Sequence, residues 1–353
     1  MVPPGESPNR ADRRRRNRPE RAPAPGRGKQ AQDQASAKPA QPSRTRLRAA
    51  RRLALATAGL AASLSLLGLV WPQGDPANQP QQGSRQGLIA ELPSRPISVL
   101  LIGSDADRRG AVSNDAAPAG AANSDALMLV RLAPKQPLDV LVLPIEAAIK
   151  LPGETQPVAL GSLYRRGGVA LVASVTAELM GLPKGQPDRY LVVPRLALRK
   201  LVDGLGQVEI APDRAMQYAD RSQKLQIDLQ PGLQLLDGAE LEQLLRFREA
   251  DGSEEGRRQR LKASLPALLQ QMAQPRQLQQ LPDLLRSLQD KVETNLSPNE
   301  ALSLVAAALQ AGSTTPRFHS LPLLPPLTAP KAGAKPGLRQ LAGPVGQADW
   351  PQI

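Results

Sequence analysis

Four arginines, Arg246, Arg248, Arg257 and Arg260, stand close together in the stretch LRFREADGSEEGRRQR. A guanidinium is planar, stays charged at any working pH and pairs bidentately with phosphate oxygens, so a cluster of them can neutralise a phosphate or diphosphate. Two aspartates, Asp105 and Asp125, lie at predicted strand–loop junctions, where α/β sheets usually place their ligands. Carboxylates beside an arginine cluster suit a hydrated magnesium ion bridging diphosphate oxygens, since Mg²⁺ takes one or two carboxylates plus phosphates. A plainer assignment stays open for both sets: solvated arginines near a surface loop, and ordinary turn or N-cap aspartates.

The elements that must position these groups follow from local pattern. Leu241, Leu244 and Leu245 recur at helical spacing and predict a helix from about Gly238 to Phe247. Asp251-Gly252-Ser253 breaks it, and Ser253 is placed to N-cap a second helix carrying Arg257 and Arg260 on one face. Helix N-terminal amides favour the same anions. Arg246 and Arg248 are two apart, so only one can face the helix's buried side unless the chain has left the helix there. Asp105 ends the apolar strand Ile97–Ile102 through Gly103-Ser104, and Asp125 precedes a strand from Ala126 to Leu132. Further strands are predicted at Asp139–Leu143, Tyr190–Val193 and Val208–Ile210, and helices at Gly168–Met180, Leu196–Leu205, Gln277–Glu293 and Pro298–Ala311. Strands alternating with helices indicate an α/β layered domain.

Composition removes several function classes. The chain has no cysteine and one histidine, His319, so thiolate sites, a Ser-His-Asp triad and a multi-His zinc site are excluded. Aromatic residues make up 2% of the 353, too few for recognition dominated by base or sugar stacking. Residues 1–52 hold 15 Lys/Arg against 4 Asp/Glu, a net of +11 out of the chain's +13, which leaves +2 for everything after them. A neutral body behind a basic tail is not a phosphate-backbone binder, so nucleic acid is not an expected partner. GxxxxGK[ST], GxGxxG, GxSxG and HExxH are absent from the sequence.

Along the chain, residues 1–52 are Arg-, Pro-, Ala- and Gln-rich and read as a disordered cytoplasmic tail. Leu53–Val70 carries no charge, and at ~1.5 Å per residue it reaches about 27 Å, near the hydrocarbon thickness of a bilayer. Arginines before it and Trp71 after it complete an expected single transmembrane anchor over 53–71, with an inner-membrane location and everything beyond Trp71 outside. A Pro/Gln-rich linker over 72–96, a domain over 97–275, helices over 276–312 and an irregular tail over 313–353 complete the expected organisation.

The order of segments resembles the LytR–CpsA–Psr family: VLLIGSDADR, NSDALMLVRLAPK, VLVLPIEAAIKLPG, RYLVVPRLALRKLVDGLGQVEI, LQPGLQLLDGAELEQLLRFR and GRRQRLKA. It covers about Ile97 to Gln274, with VETNLSPNEALSLVA extending it toward Ala311. The resemblance implies a three-layer α/β/α sandwich on a membrane anchor. It also implies a phosphotransferase that moves a glycopolymer from a polyprenyl-pyrophosphate carrier onto peptidoglycan, with Mg²⁺ at the pyrophosphate. By the same resemblance Asp105 and Asp125 match the metal-associated acids. Arg246 with Arg248, and Arg257 with Arg260, match the two arginine blocks of the pyrophosphate pocket. The carrier's tail would lie in a channel lined from Leu171–Leu179, Leu196–Leu205 and Leu241–Leu245. The chain departs from the pattern at Asn123 and Ile145, where arginines are expected, at Glu146 (Asp), at Leu261 (Gln) and at Gly161 (Asn). Two readings therefore stand: a transferase, or a catalytically impaired relative that binds polyprenyl-linked glycans or scaffolds envelope enzymes.

Overall fold

The computed structural model describes residues 92–112, 120–220, 225–249, 253–311, 315–326, 337–343 and 350. The basic leader, the expected anchor at 53–71 and the linker up to 91 lie outside the described residues, so those expectations are not addressed by the structure. Among the described residues no helix is long and apolar enough to cross a membrane.

A six-stranded mixed sheet forms the centre. Its strands are β1 (Ile97–Ser104), β2 (Ser124–Leu132), β3 (Asp139–Val142), β6 (Arg189–Pro194), β11 (Glu293–Thr294) and β12 (Arg317–Ser320), in the order β11-β6-β1-β2-β3-β12. Alternation along β1 sends Leu100 and Ile102 to one face and Val99 to the other. On the first face they pack with Val172, Val175 and Met180 of helix α1 (Leu163–Met180). Val99, Val130 and Val140 meet Leu265 and Leu269 of α4 (Glu255–Met272) and Leu304 of α6 (Pro298–Ala311) on the second. The sheet is thus covered by helices on both faces, as a layered α/β domain requires. Helix α1 begins five residues before the expected Gly168 and breaks at Gly167–Gly168, where Gly168 adopts φ 62°; a β-carbon is disfavoured there.

A second core lies beside the sheet. Helix α2 (Arg195–Gly204), β7 (Val208–Ile210), β8 (Met216–Asp220), β9 (Leu225–Leu229), β10 (Gln234–Leu236) and α3 (Gly238–Arg246) enclose Val202, Met216, Ile227, Leu236 and Leu241. Asp203-Gly204 and Asp237-Gly238 touch here, since the Gly238 N–H donates to Asp203 Oδ1 at 2.8 Å. Gly238 has no room for a β-carbon against the Arg199 backbone. Short strands β4 (Ala148–Ile149) and β5 (Val158–Ala159) pair antiparallel with each other. Helix α5 (Pro275–Leu288) ends before the predicted Glu293, which instead joins β11 at the sheet edge.

The expected irregular tail is corrected in part. Arg317–Ser320 forms β12, parallel to β3, and Trp350 is buried in the main core. Arg317 donates to both oxygens of Asp139, each at 2.8 Å, and His319 Nε2 lies 3.0 Å from Asp139 Oδ1. This long-range pairing, invisible to local pattern, docks the strand.

Candidate functional site

The site assembles at the C-terminal ends of β1 and β6, which run parallel with Ser104 opposite Pro194. Strands β1 and β2 pair as far as Gly103 and Ala126, then the register slips to Ser104 and Ser124. Asp125 is the extra residue of that bulge, a device that re-aims a side chain. Asp105 follows β1 and is buried. Its Oδ1 accepts the Asn123 backbone N–H at 2.8 Å and its Oδ2 accepts Asn123 Nδ2–H at 3.0 Å. Burial holds the Asp105 carboxyl above the usual carboxylate range and the charge of Asp125 adds to this, against the pull of the Asn123 hydrogen bonds and of Arg165.

The first arginine pair is placed by α3. Asp237 Oδ1 accepts the Glu240 N–H at 2.8 Å and Glu240 Oε2 accepts the Asp237 N–H at 2.9 Å, a capping box that sets the helix start. The helix stops at Arg246 because Phe247 has ψ 132°. Arg246 therefore sits on the last turn and Arg248 has left the helix, which resolves the conflict of their spacing. The second pair rides on α4, whose N-cap residue is Glu254 rather than the expected Ser253. Ser253 Oγ accepts the Glu255 N–H, at 3.2 Å. The Glu254 carboxylate is turned inward, 2.8 Å from Arg248 Nη1 and accepting from Arg257 Nε at 2.8 Å.

Arg257 is 8% exposed, donates to the Asp125 carbonyl, and brings Nη1 to 3.8 Å from Asp125 Oδ1. Arg248 Nη2 lies 3.8 Å from the same oxygen. Arg260 is engaged elsewhere. It donates to Leu244 O at 2.9 Å, to Phe247 O and to Glu249 Oε1 at 2.8 Å, and lies 5.3 Å above the Phe247 ring. Those bonds fasten the end of α3 to α4.

A cavity of about 90 Å³ opens among these groups, lined by Asp125, Arg246 and Arg257 of the expected set. Asp105, Arg248 and Arg260 do not line it. The other charged lining residues are Arg195, Arg258, Glu146, Glu242 and Glu254. Glu242 faces Arg246 Nη1 at 3.3 Å and also pairs with Arg195 and Arg199, while Glu146 pairs with Arg258. Four guanidiniums thus meet four carboxylates, and the cavity is formally neutral. An anion entering it must displace a carboxylate or bring a cation. Glu242 and Glu254 escaped the sequence reading, although each stands at helical spacing before an arginine, Glu242 before Arg246 and Glu254 before Arg257. Arg195 carried no local signal.

Among the described residues no group of three His, Cys, Asp or Glu is placed to hold a metal ion. Asp105 and Asp125 supply two carboxylates, the donor type that magnesium takes together with phosphates and water. Each carboxylate oxygen of Asp105 keeps a second lone pair beside its Asn123 donor, and burial first, then the Asp125 charge, raises its proton affinity, a cost that a nearby cation would offset. The remaining ligands would be phosphate oxygens and water.

The family-like departures pack together. A β-carbon on Gly161 would meet Ser124 O at 2.9 Å and Ile145 Cβ at 3.0 Å, so the small residue accommodates Ile145. Ile145 and Leu261 give the cavity apolar walls.

A second cavity, of about 340 Å³, is lined by aliphatic side chains including Val99, Leu101, Leu191, Leu201, Leu265, Leu269 and Val305. It lies between the sheet and helices α2, α4, α5 and α6, and Val193 lines both cavities. Of the segments expected to line a tail channel only Leu196–Leu205 contributes. Leu171 and Leu179 pack against the core on the other face, and Leu241 and Leu244 in the second core.

The model of the LytR_cpsA_psr family matches residues 75–325, well over half of the chain. A relative from Bacillus subtilis (strain 168), the polyisoprenyl-teichoic acid–peptidoglycan teichoic acid transferase TagV, is 22% identical over 238 residues, 66% of this chain and 58% of its own length. TagT of the same organism, a transferase of the same description, is 28% identical over 59% of this chain and 62% of its own. The chain thus spans less than two thirds of these relatives. Among solved structures, B. subtilis TagV has a TM-score of 0.55 at 20% identity, covering 68% of this chain and 91% of that one. The gbs0355 protein of Streptococcus agalactiae also reaches 0.55, at 20% identity over 65% and 78%. Both likenesses concern the fold.

Proposed function

The chain belongs to the LytR–CpsA–Psr family, and on that premise we propose that it is a membrane-anchored phosphotransferase moving a glycopolymer from a polyprenyl-pyrophosphate carrier to peptidoglycan. The observation that carries this reading is the seam between the two cavities: a pocket walled by arginines and carboxylates adjoins an aliphatic one, with Val193 in the wall of both. That juxtaposition suits an amphiphile with an anionic head and an isoprenoid tail. Its support from known proteins is the transferase description of the relatives TagV and TagT.

In this reading Arg246, Arg257 and Arg258 take the diphosphate oxygens, exchanging their pairing with Glu242, Glu254 and Glu146 for the ligand. Donors already fixed at the site stabilise charge that develops on the departing lipid phosphate as the acceptor hydroxyl attacks the glycan-bearing phosphorus. Arg248 holds Glu254 and Arg260 holds the end of α3, so they orient the site from behind. Asp105 and Asp125 would hold magnesium, whose charge offsets that of the diphosphate in a neutral cavity. The leader over 1–52, with its +11, keeps the N-terminus cytoplasmic, and the 53–71 anchor in the inner membrane leaves the domain outside.

A second reading, a relative that binds the carrier without transferring, draws support from Asn123 and Ile145. Neither carries charge, and Asn123 is spent on Asp105. Loss of one oxyanion donor can cost about 10²–10³ in rate. The deciding experiment follows transfer of a labelled glycan from its polyprenyl-diphosphate carrier to peptidoglycan by the full chain, with and without Asn123→Arg plus Ile145→Arg. Turnover by the unaltered protein that the double change leaves within tenfold supports the transferase. Binding without turnover, rescued by the double change, supports the second reading, and an absence of both binding and turnover refutes the two together.

A further inference from the structure

Arg195 is a residue that neither composition nor the motif blocks singled out, and it stands in the wall of the charged cavity. It is the first residue of α2, directly after β6, and is 9% exposed. Its backbone is pinned, the Arg195 N–H donating to Ala106 O at 3.0 Å and the Leu196 N–H to Asp107 O at 3.1 Å. That holds the start of α2 against the segment that follows Asp105. The guanidinium is only half used. Nη2 lies 2.6 Å from Asp107 Oδ1, and Nε faces Glu242 Oε1 at 3.2 Å, but neither Nε nor Nη1 makes a hydrogen bond although both are buried. Buried donors are rarely left unpaired, because the lost hydration is not repaid. Nε is at least ion-paired with Glu242, whereas Nη1 has neither a hydrogen bond nor an ion pair. A guanidinium with an idle donor in the wall of a cavity is therefore arranged for a partner that arrives later.

Its position says which part of that partner it would meet. Going from β6 into α2, Val193 lines both cavities, Arg195 and Leu198 line the charged one, and Ala197 and Leu201 line the aliphatic one. Arg195 thus stands at the seam, whereas Arg257 is attached to Asp125 on the bulge. Resting on the reading of a polyprenyl-diphosphate carrier, we infer that Arg195 binds the phosphate bonded directly to the isoprenoid tail. It supplies from β6–α2 a guanidinium that the chain lacks at 123 and 145. Glu242 is its resting counter-ion and is shared with Arg199 and Arg246, so it stays paired when Arg195 turns to the ligand.

The test uses the full chain in detergent and two probes, geranylgeranyl monophosphate and geranylgeranyl diphosphate, both of which carry the tail-side phosphate. Arg195→Gln should weaken both by about ten- to hundredfold, the effect of one charge-assisted hydrogen bond lost. Arg257→Ala should weaken the diphosphate far more than the monophosphate. Arg195→Lys keeps the charge beside Asp107 and Glu242 but not the idle Nη1 donor. It should melt with the parent and still lose affinity for both probes, which decides the matter if the glutamine variant is unstable. Equal binding of both probes by parent and Lys variant would overturn the inference and leave Arg195 as a counter-ion. Loss confined to the diphosphate would overturn its placement at the tail. A parent that binds neither probe would instead remove the carrier reading itself, a result distinct from any change between variants.

Discussion

Two buried aspartates of the same sheet are treated in opposite ways. Asp139, at the start of β3, is 0% exposed and meets Arg317 at 2.8 Å through both oxygens, with Arg131 at 3.4 Å and His319 at 3.0 Å. Asp105, just after β1, is buried beside the carboxylate of Asp125, and its hydrogen bonds among the described residues come from the amides of Asn123, with Arg165 adding a weaker attraction. The first is over-compensated and holds the C-terminal strand to the sheet. The second is under-compensated, and the proposed magnesium site would supply the missing positive charge. The two carboxylates are told apart by what faces them, not by their burial.

The contrast is broken most severely at Asp139. Asp139→Ala leaves Arg131 buried without its carboxylate and should cost about 3–5 kcal/mol, the usual range for breaking a buried pair. A urea melt measures the loss. Trp350, which packs edge-on 5.7 Å from His319, should become exposed with the strand and shift its fluorescence to the red. An unchanged melt would mean that the tail docks independently of this carboxylate.

Asp105 should respond with the opposite sign. Its raised pKa means that the folded state holds the proton more tightly than the unfolded chain does. The stability this contributes is complete below the ordinary carboxylate value and is lost as pH rises through the raised one. Asp105→Asn removes that decline, so at neutral pH the variant should melt no lower than the parent while losing magnesium-dependent ligand binding. Thermal melts between pH 3 and 8 would contradict this if the variant lost stability on the alkaline side.

Asp188 sharpens the comparison as an intermediate case, with the smallest effect. It accepts the Ser98 N–H at 2.8 Å and the Ser98 hydroxyl at 2.7 Å, and takes Arg95 at 3.0 Å. Burial opposes these bonds, yet the Ser98 and Arg95 bonds together hold its carboxyl below the usual range. Its stability is therefore present above the ordinary carboxylate value and is lost as pH falls through the lowered one. Asp188→Asn should cost about 1 kcal/mol at neutral pH, and the difference from the parent should fade in acid. A pH-independent difference would mean that packing, not charge, sets the cost.

The sequence was informative where the signal is local. Leucine spacing gave α3, the two-residue gap between Arg246 and Arg248 demanded a helix end, and Gly103-Ser104-Asp105 marked the end of β1. It was silent where the determinants lie far apart. Arg317 and Asp139 meet across 178 positions, so β12 left no pattern in a Pro-rich tail. Leucines at helical spacing look alike whether they close a core or line a channel. Only the packing of α4, α5 and α6 on the sheet separates Leu265 and Leu269 from Leu171 and Leu179. Counter-ions are equally hard to foresee: nothing in the local sequence places the Glu254 carboxylate between Arg248 and Arg257.

The central claim is that the charged cavity is a diphosphate site. Titrating geranylgeranyl diphosphate into the full chain by calorimetry, with Mg²⁺ or with EDTA, tests it most directly when paired with Arg257→Ala. Binding should require the cation in substantial part, and the variant should lose about 1.5–3 kcal/mol of affinity, as expected for one charge-assisted contact. Binding that is indifferent to EDTA and equally strong in the variant would contradict the account, and would leave Arg257 as no more than the partner of Glu254 and Asp125.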